Sequence, residues 1–292
     1  ATYDSEPIVG PYSVASLEFT NTAMDSSDQR IVVTYPVFEN GTEIEGGSFP
    51  VIEYAHGLDN EVSDYTQLFK GLGSFGYIIV AHRACKNGCE DDTASLRLDP
   101  SGFAHYYKQQ LLSIDWAKEQ ATAGNQALAN ADFSMGVGIA GHSMGGQSTV
   151  FSSSYTNATQ HGVAAAVMHH AYTHEYPAPQ VPFLAFTGVE DVVAFPWLTE
   201  RFYNADDANS VKGIVNKKYG AGHFEPEDDW ALVRKTYNPL IPQFTAAWFK
   251  LNIEGKTSEF GVDFEDMVYG TGDTGLCGGV VDGKMSECEI SR

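Results

Sequence analysis

Gly136-Val137-Gly138-Ile139-Ala140, running on into Gly141-His142-Ser143-Met144-Gly145-Gly146, is the stretch on which the reading of this chain turns. An apolar run with the length of a buried strand leads directly into G-x-S-x-G, and a helix is expected from Met144 onward. A strand that turns so sharply into a helix holds its central residue in a strained backbone conformation, and only glycine on either side leaves room for it. The serine hydroxyl is thereby projected above the sheet, at the positive end of the following helix. Ser143 is therefore the expected nucleophile.

On both sides of this turn, strand and helix patterns alternate. Strands are expected at 13–20, 30–39, 51–55, 77–81, 136–140, 163–168, 182–187 and 214–219. Helices are expected at 65–76, where Tyr65, Leu68, Phe69 and Leu72 share a face behind an Asp64/Gln67 capping box and before the stop at Gly76, at 103–118, from Met144, and at 197–203. Closing helices are interrupted by Pro239 and Pro242. This order implies an α/β fold with a mainly parallel central sheet and helices on both faces. No repeat, low-complexity tract or long linker divides it, so residues 1–292 are read as one domain, ending in a segment, 275–292, tied by cysteines. Reactive groups in such sheets gather beyond the carboxyl ends of the strands, here after Ala55, Ala140, Thr187 and Tyr219.

A serine hydroxyl needs a base, and histidine is the usual one. Among nine histidines, those after Ser143 are His161, His169, His170, His174 and His223. Only His223, in Gly220-Ala221-Gly222-His223-Phe224, also follows an acid at a strand end. That acid comes from Gly188-Val189-Glu190-Asp191; Asp191 is preferred, with Glu190 as the alternative. The backbone amides of Met144, after the nucleophile, and Leu58, after His56-Gly57, are the expected oxyanion donors, and His56 is expected to order its loop.

Seventeen basic against thirty-eight acidic side chains leave a formal charge of −21. Such a surface repels nucleic acid and anionic lipid. At 43% hydrophobic and 19% charged residues the chain is too apolar to be a disordered acidic tail, and it contains no run long enough to span a membrane. The start at Ala1 with no apolar leader, the sequons at Asn40 and Asn157, and the close cysteine pairs Cys85/Cys89 and Cys277/Cys288 are read as marks of a secreted, extracellular or periplasmic protein with two local disulfides. The cysteine spacing fits no zinc pattern. His169, His170 and His174 are read as polar loop residues near the cleft, and the acidic runs 225–229 and 263–266 as solvated surface; no metal and no cofactor is expected.

With these residues in place the chain resembles the α/β-hydrolase superfamily. More narrowly it resembles the lid-less branch of cutinase-like polyester hydrolases, poly(ethylene terephthalate) hydrolases among them, chlorophyllases and platelet-activating-factor acetylhydrolases. The resemblance is carried by His56-Gly57-Leu58, Ser74-Phe75-Gly76-Tyr77, residues 141–146, residues 182–191 with Val193-Ala194, Gly222-His223 and the C-terminal cysteine pair. Departures are Leu58 where polyester hydrolases carry Tyr or Phe, Tyr172 where they carry Trp, and Met144 where chlorophyllases carry a basic residue. The segment 169–181, of 13 residues, is too short for a cap, so an open cleft bordered by Leu58, Met144, Tyr172, Val193 and Phe224 is expected. The resemblance implies a serine carboxylic-ester hydrolase, monomeric, acting on bulky or polymeric esters. The alternatives are a small-ester or lipid esterase, a chlorophyllase-like enzyme, and a catalytically silent binding protein.

Overall fold

Strands that are apolar on both faces must be covered on both, and the burial pattern imposes this on the centre of the chain, where β3 (Phe49–Ala55), β4 (Ile78–His82) and β6 (Val137–His142) are buried at every position. A computed structural model describes residues 7–24, 27–42, 44, 46–85, 106–154, 156–205, 211–217, 221–228, 237–272, 275–278 and 285–292. In chain order, β1 (Ser13–Thr20) and β2 (Arg30–Val37) precede β3. Helix α1 (Thr66–Ser74) leads to β4, α2 (Tyr106–Thr122) and β5 (Ala131–Asp132) to β6, and α3 (Met144–Ser152) and α4 (Asn157–His161) to β7 (Val163–His169). Then follow β8 (Phe183–Gly188), α5 (Pro196–Tyr203), β9 (Lys212–Lys217), α6 (Leu240–Asn252), a small hairpin of β10 (Ser258–Glu259) and β11 (Val262–Asp263), α7 (Phe264–Tyr269) and β12 (Met285–Ile290).

The main sheet runs β1-β2-β4-β3-β6-β7-β8-β9-β12, with β5 on β3. From β4 to β9 every pairing is parallel; β1, β2 and β12 join antiparallel at the edges. This is the mixed, mostly parallel sheet of an α/β-hydrolase fold. Successive side chains of β3 serve two cores. Val51 and Ala55 pack with Leu111 and Ile114 of α2 and Val150 of α3, while Ile52 and Tyr54 pack with Leu68 and Leu72 of α1 and Trp248 and Phe249 of α6. Each Val, Leu, Ile or Phe among them, once buried, contributes about 1.5–3 kcal/mol.

The order of the strands reverses between β3 and β6, which lie side by side with Ala55 opposite Gly141. A crevice beyond the carboxyl ends of the strands is the rule at such a reversal. The loop after β3 and the turn after β6 therefore meet there.

Several expected elements shift or change. The capping box lies one turn earlier, with the Glu61 amide donating to Asp64 Oδ2 at 2.8 Å, and a 3₁₀ turn at Val62–Tyr65 precedes α1. Gly76, at φ 89°, ends it as expected. Helix α6 is not interrupted by proline: Pro239 is its N-cap and Pro242 stands in the first turn, where amides have no intrahelical acceptor to lose. The C-terminal segment contributes β12 to the sheet edge, and Cys277 and Cys288 are joined across it with Cα atoms 5.6 Å apart. Cys85 is disulfide-bonded; Cys89, expected as its partner, lies outside the described residues, as do 103–105, Tyr219 and Gly220. No helix among the described residues is long and apolar enough to cross a membrane.

Candidate active site

At the turn between β6 and α3, Ser143 has φ 55° and ψ −116°, a conformation that strains any residue with a side chain. The flanking glycines explain how the chain bears it. A Cβ on Gly145 would collide with the Ala55 carbonyl oxygen, and one on Gly141 with the carbonyl of Gly145. The Ser143 amide donates to the His169 carbonyl at 3.1 Å, and its own carbonyl accepts from the Tyr172 amide at 2.9 Å, so the turn is sewn to the segment after β7.

Two further loops bring side chains to this serine. His223 Nε2 lies 2.9 Å from Ser143 Oγ, and Nδ1 lies 2.9 Å from Asp191 Oδ2. Asp191 stands just beyond β8, and its other oxygen accepts from the Val193 and Ala194 amides at 2.8 and 2.7 Å. Burial alone would raise the Asp191 carboxyl, but hydrogen bonds from His170 and His223 outweigh it and hold the group well below the usual carboxylate range. For His223 burial dominates and lowers it, with Asp191 opposing, so near neutral pH the ring is uncharged and Nε2 can accept the serine proton. Glu190 is exposed, while its neighbour Asp191 is buried. A one-residue difference in a tight turn separates them.

The loops are themselves braced. Gly57 donates its amide to Tyr65 Oη at 2.9 Å, and Tyr65 Oη lies 2.9 Å from His142 Nδ1. His142 Nε2 lies 2.8 Å from the His223 carbonyl, which can only accept, so the proton sits on Nε2 and the tyrosine donates to Nδ1. Burial pushes His142 well down, in keeping with a neutral ring. The loop carrying Leu58 is thus bonded through two side chains to the loop carrying His223. His56 orders the same loop: burial lowers it to about 4, and its neutral ring sits between the carbonyls of Gly57 and Ala84, at 2.7 and 3.1 Å. The Met144 amide opens α3, where a first-turn N–H has no acceptor within the helix.

Above Ser143 lies a cleft of about 570 Å³. Leu58, Met144, Tyr172, Val193 and Phe224 border it, as expected, and so do Asn60, Val192 and Phe195, which sequence reasoning missed. The clue to the last two was an apolar run, Val192 to Phe195, placed in a loop instead of a strand: Val192 is 76% and Phe195 46% exposed. Apart from His169, which ends β7, the segment 169–181 carries no element but an isolated bridge between Ser154 and Pro179.

Of the three expected polar loop histidines, His169 lies on a strand instead, and His170, in the loop after β7, is buried. His169, on β7, is buried with Nε2 3.1 Å from Thr245 Oγ1, and His170 is fully buried; only His174 is exposed. His170 Nδ1 lies 2.8 Å from Asp191 Oδ2 and Nε2 3.2 Å from Glu225 Oε2. The acidic run after Phe224 is likewise not all solvated surface: Glu225 and Glu227 are buried, Glu227 is pushed up to about 8 by that burial, and Asp229 lies outside the described residues. Asp263 instead caps α7 by accepting from the Asp266 amide. Ligand atoms of His170, Asp191 and His223 lie within 4.8 Å of one another, as metal ligands would, but Asp191 Oδ2 already accepts from both rings.

Fold and site together define a hydrolase of the α/β-hydrolase type. The family model for chlorophyllase matches residues 9–168, more than half of the chain, and the chain belongs to the chlorophyllase family. That span contains Ser143 and the His56-Gly57-Leu58 loop, while Asp191 and His223 lie beyond it. No curated protein matches the chain.

Proposed function

We propose that the chain is a serine carboxylic-ester hydrolase that works through an acyl-enzyme on bulky or polymeric esters. The observation that carries this reading is the unbroken hydrogen-bonded series Ser143–His223–Asp191 at the floor of an open, apolar cleft. Ser143 Oγ attacks the acyl carbon while His223 Nε2 takes its proton. Asp191 fixes the tautomer and supports the imidazolium that forms. The amides of Leu58 and Met144 receive the oxyanion; losing one such donor costs about 3 kcal/mol of transition-state stabilisation. His223 returns the proton to the leaving alcohol, and a water activated by the same ring then frees the acid.

The same reading takes residues 1–292 as one domain acting as a monomer outside the cell. The Cys277–Cys288 disulfide supports an oxidising compartment. Membership of the chlorophyllase family favours a second reading, a large lipid-like ester as substrate in place of a polymer.

Release of acid from a short p-nitrophenyl ester and from polyester nanoparticles, with Ser143→Ala as the blank, tests these readings. Serine-dependent turnover of both is the expected result. Turnover of the soluble ester alone moves the substrate to small or lipid esters. Absence of serine-dependent turnover on either, with no labelling of Ser143 by a phosphonate, overturns the proposal and leaves a silent binding protein.

A further inference from the structure

The proposed reaction uses one of the two imidazoles bonded to Asp191. The other, His170, is fully buried, sits at φ 48° directly after β7, and turns both ring nitrogens onto carboxyl groups. Glu225 is held for this contact. Its Oε1 accepts from Asn238 Nδ2 at 2.9 Å, and Asn238 Oδ1 accepts from the Leu240 amide at the start of α6. A left-handed backbone is a costly way to place a core side chain.

We propose that His170 is a positioning residue for the base: clamped between Asp191 and Glu225, it carries a positive charge, shares the Asp191 oxygen that orients His223, and so sets the acidic limit of the activity. The inference rests on the triad reading. His56 also faces an acceptor at each nitrogen and stays neutral, but its acceptors are uncharged carbonyls; the two carboxyl groups at the nitrogens of His170, working against burial, raise it to about 9. Its ring centroid is 6.1 Å from that of His223. A cation there opposes protonation of His223 and keeps the base free at lower pH, although it also draws on the charge that would strengthen that base.

Other groups face His223 as well. Asp191 stays ionised throughout the working range; His142, ring to ring at 4.9 Å, is neutral; Glu227, 3.4 Å from His142, titrates on the alkaline side. Among the described groups, His170 is therefore the cation that bears on the acidic limb.

The test is the pH profile of kcat/KM on a soluble ester for the parent enzyme, His170→Asn, Glu225→Gln and the double variant. Asparagine tolerates the left-handed backbone and keeps a donor for Asp191. Each single variant is expected to move the acidic limb upward by up to about two pH units, the order expected for unit charges about 6 Å apart at an effective dielectric near 20. The double variant moves it no further than the larger single shift, because both act through one charge. Lower turnover at every pH with the limb unmoved marks a purely structural role and overturns the proposal, as does a limb that moves in His170→Asn but stays fixed in Glu225→Gln. Should His170→Asn fail to fold, Glu225→Gln carries the test, together with ¹⁵N shifts of the parent at pH 7. Two protonated His170 nitrogens are expected there, and one bare nitrogen overturns the proposal. Absence of serine-dependent turnover in the parent is a failure of the triad reading, and the ¹⁵N measurement still reads the charge of His170.

Discussion

Tyr65 shows how much a single hydroxyl can do in this molecule. On sequence it is an apolar-face residue at the start of a helix, and its ring is indeed buried against Tyr54 and Phe69. Its oxygen, however, takes the Gly57 amide and gives its proton to His142, whose far side holds the His223 carbonyl. Tyr65→Phe keeps the ring and leaves two buried groups, the Gly57 N–H and His142 Nδ1, without their partner. Each such orphan costs about 1–3 kcal/mol. The expected outcome is a stability loss of about 2–6 kcal/mol by urea unfolding, with a fall in kcat of tenfold or more, because the loops carrying Leu58 and His223 lose their common brace. A variant that loses stability but keeps kcat would separate the brace from catalysis. No spacing rule reveals this series, since its members sit on the loop after β3, the 3₁₀ turn before α1, the end of β6 and the loop carrying His223, and the bonds through His142 span 77 and 81 residues.

Among elements, what was legible followed from local pattern, and what was not followed from pairing over distance. The β6–α3 turn was readable because strand, glycines and helix are contiguous. Asp191 over Glu190 was not, since the choice is made by the Val193 and Ala194 amides that close on one carboxylate. Helix α6 is buried along nearly its whole length, so the period that marks an amphipathic helix is absent and its prolines read as breaks. Strand β12 is short and Glu-rich, and its partner β9 is about 70 residues away in sequence, so nothing nearby announces it. The disulfide to Cys277 holds this edge strand in place. Replacing both partners, Cys277→Ala with Cys288→Ala, opens a loop of sequence separation 11 and is expected to cost about 3 kcal/mol. Three strands lie between β6 and β12, so ester turnover at 25 °C should survive. A urea midpoint that does not move, or activity lost while the midpoint holds, contradicts this assignment.

For the molecule as a whole, charge and buried protons make separable demands on stability. The −21 surface repels itself, and salt relieves this by shortening the Debye length from about 30 Å at 0.01 M to about 3 Å at 1 M. Buried groups are screened far less, so the pH dependence that persists at high salt belongs to them. His170, raised to about 9, contributes stability that is complete below its unfolded value of 6.5 and is lost as pH rises through 9. Glu227, raised to about 8 by burial, has the same sign between 4.5 and 8, and Glu53, fully buried and raised well above the carboxylate range, adds to it. In the other direction, burial lowers His56 to about 4 and His82 and His169 to about 3, so their contribution is complete above 6.5 and is lost as pH falls towards those values. These opposing slopes meet near pH 6.5. Urea midpoints measured at 1 M NaCl should therefore peak near that pH and decline by pH 9, and Glu227→Gln should flatten the alkaline decline and steepen the acidic one between pH 4.5 and 6.5. A parent profile that is level from pH 6.5 to 9 at high salt would mean that the fall seen at low salt is surface repulsion alone, and that neither His170 nor Glu227 retains its proton in the folded state.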